Sequence, residues 1–410
     1  MVYAETFRSF CLTDALSRNA RMNEHNLLDA FFLIFTGAAV LATLALFTRQ
    51  PILIAYIVLG ALIGPYGLGF VTDIGLLQQV SGIGIMFLLF LIGLDMEFSA
   101  LMAVIRESAV VNLASSVIFF IVGALVTRAF GFSMIEAVIV GLAMLNPSTI
   151  VALKLLPTTV LHHRRTGELI IGISLLQDLL ALLAISLIPV MAGANTQPVD
   201  MFKLVVAMPV LLVLSYVVVK RVLEPLIMRF DKFHEYIFLL AIGWCLGVAT
   251  LSNAMGLSRE TGAFIAGISL ASSPIAQFIA LNLRPLRDFF LVLFFFALGA
   301  GFDSGILPQI IGPALLLTLV VVGIKPVVYR FLLGRLSERP ELAWDVGFRL
   351  GQVSEFSLLI AFTAVQAALI SQAASFLIQA IVIMSFVVSS YIVIFNFPNP
   401  IAVSKRLRRD

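Results

Sequence analysis

Apolar residues dominate the chain from about residue 26 to residue 395, and short polar or Pro/Gly breaks interrupt them at intervals close to the length of one membrane crossing. A hydrocarbon layer about 30 Å thick takes roughly 20 apolar residues per helix, and a helix satisfies its own backbone inside lipid. The pattern predicts an all-α membrane protein with about thirteen transmembrane helices, over 26-47, 51-70, 74-94, 107-128, 134-157, 166-190, 201-223, 233-253, 257-279, 285-304, 307-334, 341-370 and 371-395. Thirteen divides as six, one and six. Six helices return the chain to its starting side, so a single linking helix makes the second six enter upside down, which predicts two inverted six-helix repeats. The expected organisation is an N-terminal tail (1-25), a first repeat (26-190), a linker helix with its basic loop (191-232), a second repeat (233-395) and a basic tail (396-410).

Corresponding helices of inverted repeats are often both interrupted where they build a site. The fifth helix of the first six holds Asn146-Pro147-Ser148-Thr149, where Pro147 lacks an N–H and the flanking side chains compete for freed backbone groups. Its counterpart holds Gly351-Gln352-Val353-Ser354-Glu355 in mid-run. The matched positions predict two broken helices that cross.

Charge placement orients the spans. Arg49, Arg106, Arg164, Arg165, Lys220, Arg221, Arg229, Lys232, Arg284, Arg287, Arg330, Arg335 and Arg339 follow odd-numbered helices, while even-numbered loops hold little beyond Arg128 and Lys203. Basic residues concentrate on the cytoplasmic side. This puts the C-terminus in the cytoplasm and the N-terminus outside the plasma membrane; no signal peptide pattern precedes the first helix, which is expected to be retained. With 61% hydrophobic and 12% charged residues the chain's solvent is lipid, and a net charge of +3 gives no footing for nucleic acid. Cys11 and Cys245 have neither metal-ligand nor disulfide spacing, and no nucleophile–base pattern points to an enzyme. No cofactor is expected.

A few ionisable residues fall inside the spans, where each costs about 3 kcal/mol or more and marks a candidate site. Asp178 lies near the middle of helix 166-190, in Leu-Leu-Gln-Asp-Leu-Leu. Desolvation there favours the protonated acid and a bound cation favours the carboxylate, so proton and cation compete for one group. Lys325, deep in helix 307-334, is expected to pair with Asp178 or to offset the ends of the broken helices. Glu355 and Gln352 sit in the second break, Glu355 against Lys325 or a backbone end. Gln177, Asn146, Ser148 and Thr149 add neutral oxygens. Other charges are blander: Asp95, Glu97, Arg284, Arg287 and Asp288 as interfacial anchors, Asp345 and Arg349 as an i,i+4 pair in the first turns of their helix, and His162 with His163 as a solvated, titratable cluster.

The stretches Gln50-Pro51-Ile52-Leu53-Ile54-Ala55-Tyr56 through Gly60 and Gly64-Pro65-Tyr66-Gly67-Leu68-Gly69, then Phe90-Leu91-Ile92-Gly93-Leu94-Asp95, Gly262-Ala263-Phe264-Ile265-Ala266-Gly267 and Pro285-Leu286-Arg287-Asp288-Phe289-Phe290 ending Leu298-Gly299, resemble blocks of the sodium/hydrogen exchanger-like superfamily, in order over residues 30-395. Gln177-Asp178 resembles the Gln-Asp of its Kef-type potassium-efflux branch. The resemblance implies a monovalent cation/proton antiporter preferring potassium, with sodium as the alternative and a channel-like or sensory protein as a remoter one. It further implies Asp178 as the ion- and proton-binding residue, Lys325 as the family's membrane lysine, Gln352 and Glu355 as its Gly-Gln-x-x-Glu-Phe block, and a homodimer working by elevator-like alternating access. Asn146-Pro147-Ser148-Thr149 departs from the family's usual Ser-Ser-Thr-Ala, and the regulatory nucleotide-binding domain of Kef-type systems is absent from this chain.

Overall fold

The computed structural model describes residues 28–48, 50–71, 74–95, 98–148, 152, 164–192, 198–230, 232–271, 273 and 276–397. Thr149, Arg49, Glu97, Cys11, His162, His163 and both terminal tails lie outside the described residues, as does the side chain of Asp95.

Every regular element among the described residues is helical. In chain order they are α1 Leu28–Phe47, α2 Ile52–Ile63, α3 Ile74–Asp95, α4 Phe98–Ala129, α5 Met134–Ala143, α6 Arg164–Ala192, α7 Pro198–Val218, α8 Glu224–Arg229, α9 His234–Ala254, α10 Arg259–Ala271, α11 Ala276–Ala300, α12 Leu307–Arg335, α13 Pro340–Arg349, α14 Phe356–Gln366 and α15 Gln372–Asn396. Seven of these are long and apolar enough to cross a membrane, and α2, residues 82–94 of α3, α5 and α14 are shorter apolar helices.

Several boundaries differ from expectation for identifiable reasons. Helix 51-70 stops at Ile63, where turns through Gly64 and Gly67 follow. The fourth helix starts at Phe98, ahead of Arg106-Glu107. The linker does not end at residue 223: Pro225 has no N–H, and the chain absorbs this with one π-turn over Val219–Leu223, in which the Glu224 N–H reaches Val219 O, before running on to Arg229. Lys220 and Arg221 are therefore helical, and Lys220 Nζ holds Glu224 at 2.7 Å. Pro285 does not begin a helix either. Helix α10 ends at Ala271 and α11 begins at Ala276, carrying Arg284, Pro285, Arg287 and Asp288 in its interior. A proline is tolerated within a membrane helix when neighbours cover the freed carbonyl.

The chain forms two compact units, Met1–Gly82 with Phe289–Phe302, and Ile83–Asp288 with Asp303–Asp410. In the first, Ile34, Ala38, Leu59, Val292, Leu293, Phe296 and Ala297 make the core. Helix α2 and residues 289–300 approach so closely that a Cβ on Gly60 would strike the carbonyl of Phe296, and one on Gly299 the carbonyl of Ile57. In the second unit, a Cβ on Gly93 of α3 would lie 2.6 Å from Phe264 O of α10, and one on Gly267 would strike Phe90 O. Small residues let membrane helices touch backbone to backbone. Two of the quoted sequence blocks thus face each other in each unit.

Two polar contacts in the second unit join helix ends far apart in sequence. Glu136, which caps α5 in a capping box with Ser133, also accepts from Ser371 N (3.1 Å) and Oγ (2.6 Å) at the start of α15. Arg165, at the start of α6, holds Glu338 between α12 and α13 at 2.9 Å.

Candidate functional site

At both predicted breaks a helix ends, and several of the freed backbone groups have identifiable partners. Helix α5 ends at Ala143, with Met144–Ser148 non-helical. Pro147 removes the donor that would have bonded Ala143 O, and the hydroxyl of Ser357 in α14 donates to that carbonyl instead. Helix α13 ends at Arg349, residues 350–355 are non-helical, and α14 begins at Phe356. Val353 N donates to Ser385 Oγ (3.1 Å), and Ser389 Oγ donates to Phe348 O (3.3 Å) and to Gln352 Oε1 (2.9 Å), all from α15. The segments meet directly: Ser354 N donates to Asn146 O at 2.8 Å, and Gln352 Nε2 donates to Ser148 O at 3.1 Å. Non-helical backbone survives at membrane depth only where protein supplies partners of this kind.

Lys325 of α12, 1% exposed, closes the crossing. Its ammonium donates to Gln352 O (2.9 Å) and Asn146 O (3.2 Å), carbonyls just past the C-terminal ends of α13 and α5, and stands 5.2 Å from the centroid of Phe119. A cation there offsets the negative ends of two helix dipoles at once. Glu355 lies at the N-cap of α14, so the expected acid sits at a backbone end, where the helix dipole favours a negative charge.

Asp178 is 6% exposed on α6. The preceding Gln177, fully buried, receives the hydroxyl proton of Tyr329 on its Oε1 (3.1 Å) and donates Nε2 to Ser115 (3.3 Å) and Ser116 (3.4 Å) of α4. Tyr329 lies one turn beyond Lys325 on α12, so the helix that reaches the crossing also bonds Gln177 of α6. One turn before Asp178, Ser174 Oγ is buried with no hydrogen-bond partner among the described residues, and so are both side-chain polar atoms of Asn146. The pair Arg349–Asp345 forms at 2.7 Å, at the C-terminal end of its helix rather than in its first turns, because the break cuts that helix short.

Sequence reasoning missed Tyr329, Ser115, Ser116, Ser174, Ser357, Ser385 and Ser389. The available signals were spacing alone: Asn112, Ser115 and Ser116 at i, i+3, i+4 in an apolar helix, Tyr329 four after Lys325, and Ser385 with Ser389 four apart.

An all-helical membrane fold in which two helix ends meet through non-helical segments held by a buried lysine is an arrangement found among ion transporters. Residues 32–395 match the family described as sodium/hydrogen exchanger, transmembrane, and the chain belongs to that family. It is similar to K(+) efflux antiporters 5 and 4 of Arabidopsis thaliana, at 28% and 30% identity over 76% of this chain, and spans 56% and 54% of their lengths. It is also 26% identical to the iron transporter MagA of Paramagnetospirillum magneticum, over 84% of this chain and 79% of that protein. The structure of the sodium proton antiporter MjNhaP1 from Methanocaldococcus jannaschii shares its fold, with a TM-score of 0.68 at 16% identity, covering 89% of this chain and 99% of that one.

Proposed function

We propose that this chain is the membrane part of a secondary active antiporter that exchanges a monovalent cation, potassium by preference, for protons. Asp178 is the shared site. The observation that carries this reading is a carboxylate held in a dry interior on α6, tied through Gln177 and Tyr329 to a crossing braced by a buried cation. A carboxyl group so placed loses less by staying protonated than by standing charged, until a cation replaces the proton. One site that holds either ion couples their movements when the protein changes sides only in the loaded states.

Ser174, Asn146, Ser148 and Thr149 supply neutral oxygens, which complete a shell for an ion stripped of water. Lys325, Gln352 and Glu355 hold the crossing. Thirteen spans in two inverted repeats, a homodimer and an elevator-like movement belong to the same proposal. Sidedness is supported by the two contacts between helix ends: Glu136 and Ser371 both follow even-numbered spans, and Arg165 and Glu338 both follow odd ones, so each contact joins loops assigned to one face. That assignment puts the C-terminus in the cytoplasm and the N-terminus outside the plasma membrane.

In proteoliposomes with a pH-sensitive dye inside, the wild-type chain is expected to move protons on addition of potassium. The Asp178→Asn variant, folded and monodisperse, is expected to move none. Exchange that persists in that variant refutes the reading, and a response to sodium alone replaces potassium by sodium.

A further inference from the structure

The residue before Asp178 is fully engaged within the bundle. Tyr329 spends its single hydroxyl proton on Gln177 Oε1, while Nε2 is shared between Ser115 and Ser116. Ser116 leans in turn on Asn112 Oδ1 (3.5 Å), and Asn112 Nδ2 donates to Ile173 O (2.9 Å). None of these five side chains is more than 4% exposed and none is charged. The Tyr329 ring is itself fixed, edge-on to Phe119 at 5.5 Å, and the same phenylalanine faces the Lys325 ammonium.

Successive residues on a helix diverge by about 100°. The Gln177 amide therefore reaches a cation at Asp178 only by swinging out of its present position, and a cation attracts an amide oxygen more strongly than a neutral hydroxyl does. We propose that Tyr329 sets the cation preference of the Asp178 site by tethering the Gln177 amide oxygen and so withholding it from the transported ion. This rests on the reading of Asp178 as the exchange site. Tyr329 is a positioning residue: it acts through Gln177. With the tether gone, a buried acceptor has lost its donor and the cation becomes its new partner. An added oxygen favours the smaller ion, because attraction rises as the separation falls. The tether thus favours potassium over sodium.

The test is a set of variants measured for KM and maximal rate with potassium and with sodium in the same proteoliposome assay. Tyr329→Phe is expected to lower the KM for sodium relative to that for potassium by about 2- to 12-fold, the worth of one hydrogen bond of about 0.5–1.5 kcal/mol, with maximal rates within about twofold. In a Gln177→Leu background the same change should leave the ratio unmoved, since no oxygen remains to release. Ser116→Ala loosens only the nitrogen end, since Ser115 also bonds Tyr329 and is left in place, and should leave the ratio as in the wild type. An unchanged ratio in Tyr329→Phe overturns the proposal, and so does an equal shift in the Gln177→Leu background or in Ser116→Ala. Slower transport of both ions with a lower melting temperature and no change of ratio means a merely structural tyrosine, and overturns it too. Asp178→Asn run alongside separates the two readings: if it is inactive while the ratio stays put, only the tether falls.

Discussion

Lys325→Met is the most direct probe of how the crossing is held. Methionine keeps the length and the apolar stem of lysine and removes the ammonium. Asn146 O still receives the Ser354 N–H at 2.8 Å, but Gln352 O loses its 2.9 Å donor. A buried carbonyl left without a partner costs about 1–3 kcal/mol. Uncovering the negative ends of α5 and α13 adds about 0.3–1 kcal/mol each, more where they are buried. Relief from burying an ammonium offsets part of this. The net expectation is a loss of about 2–4 kcal/mol. Proteins of about 150–250 residues lose about 2–4 °C per kcal/mol, and a chain of 410 residues loses less, so the melting temperature should fall by roughly 2–6 °C. Thermal denaturation of the purified protein in detergent, followed by loss of the monodisperse peak, reads this directly. Lys325→Arg should recover part of the loss, since it keeps the charge but replaces a compact ammonium by a planar fork. A methionine variant as stable as the wild type, with unchanged exchange, would refute the view that this lysine braces the two breaks.

Gly267→Ala should cost about 1–3 kcal/mol by overpacking against the Phe90 carbonyl, seen as lower yield and melting temperature, whereas Gly243→Ala, with open space around its Cβ, should be tolerated. Single cysteines placed at Ser371 and at Arg165, in a background where Cys11 and Cys245 are serine, should react with a membrane-impermeant maleimide from opposite sides of right-side-out vesicles, Ser371→Cys from outside and Arg165→Cys only after permeabilisation. Labelling of both from one side would overturn the assigned topology.

The parts of the site that a reader of the sequence finds are those that lipid forbids. Asp178, Lys325, Pro147 and the Gly351–Glu355 cluster stand out because charge, a missing N–H and consecutive polar groups are costly in an apolar run. Tyr329, Ser115 and Ser357 do not stand out, since tyrosine and serine occur in membrane helices for many reasons and their role depends on what crosses above them. Prolines also mislead when taken one by one. Pro147 follows the end of a helix and Pro285 sits inside one, although each removes one backbone N–H. The glycines of the quoted blocks signal the family, but only the fold shows Gly93 against Gly267 and Gly60 against Phe296 and Ala300 as places where two backbones touch.

The lacing of the two interrupted helices has a mechanical consequence. Ser354 to Asn146, Gln352 to Ser148, Ser357 to Ala143 and the two arms of Lys325 are directional bonds in a dry interior, each of which fails if its ends shift by an ångström or so. Such a knot resists shear, so the two segments hold together as one block. Under the proposed elevator-like movement the stroke falls to apolar contacts around that block, which have no preferred direction and slide at little cost.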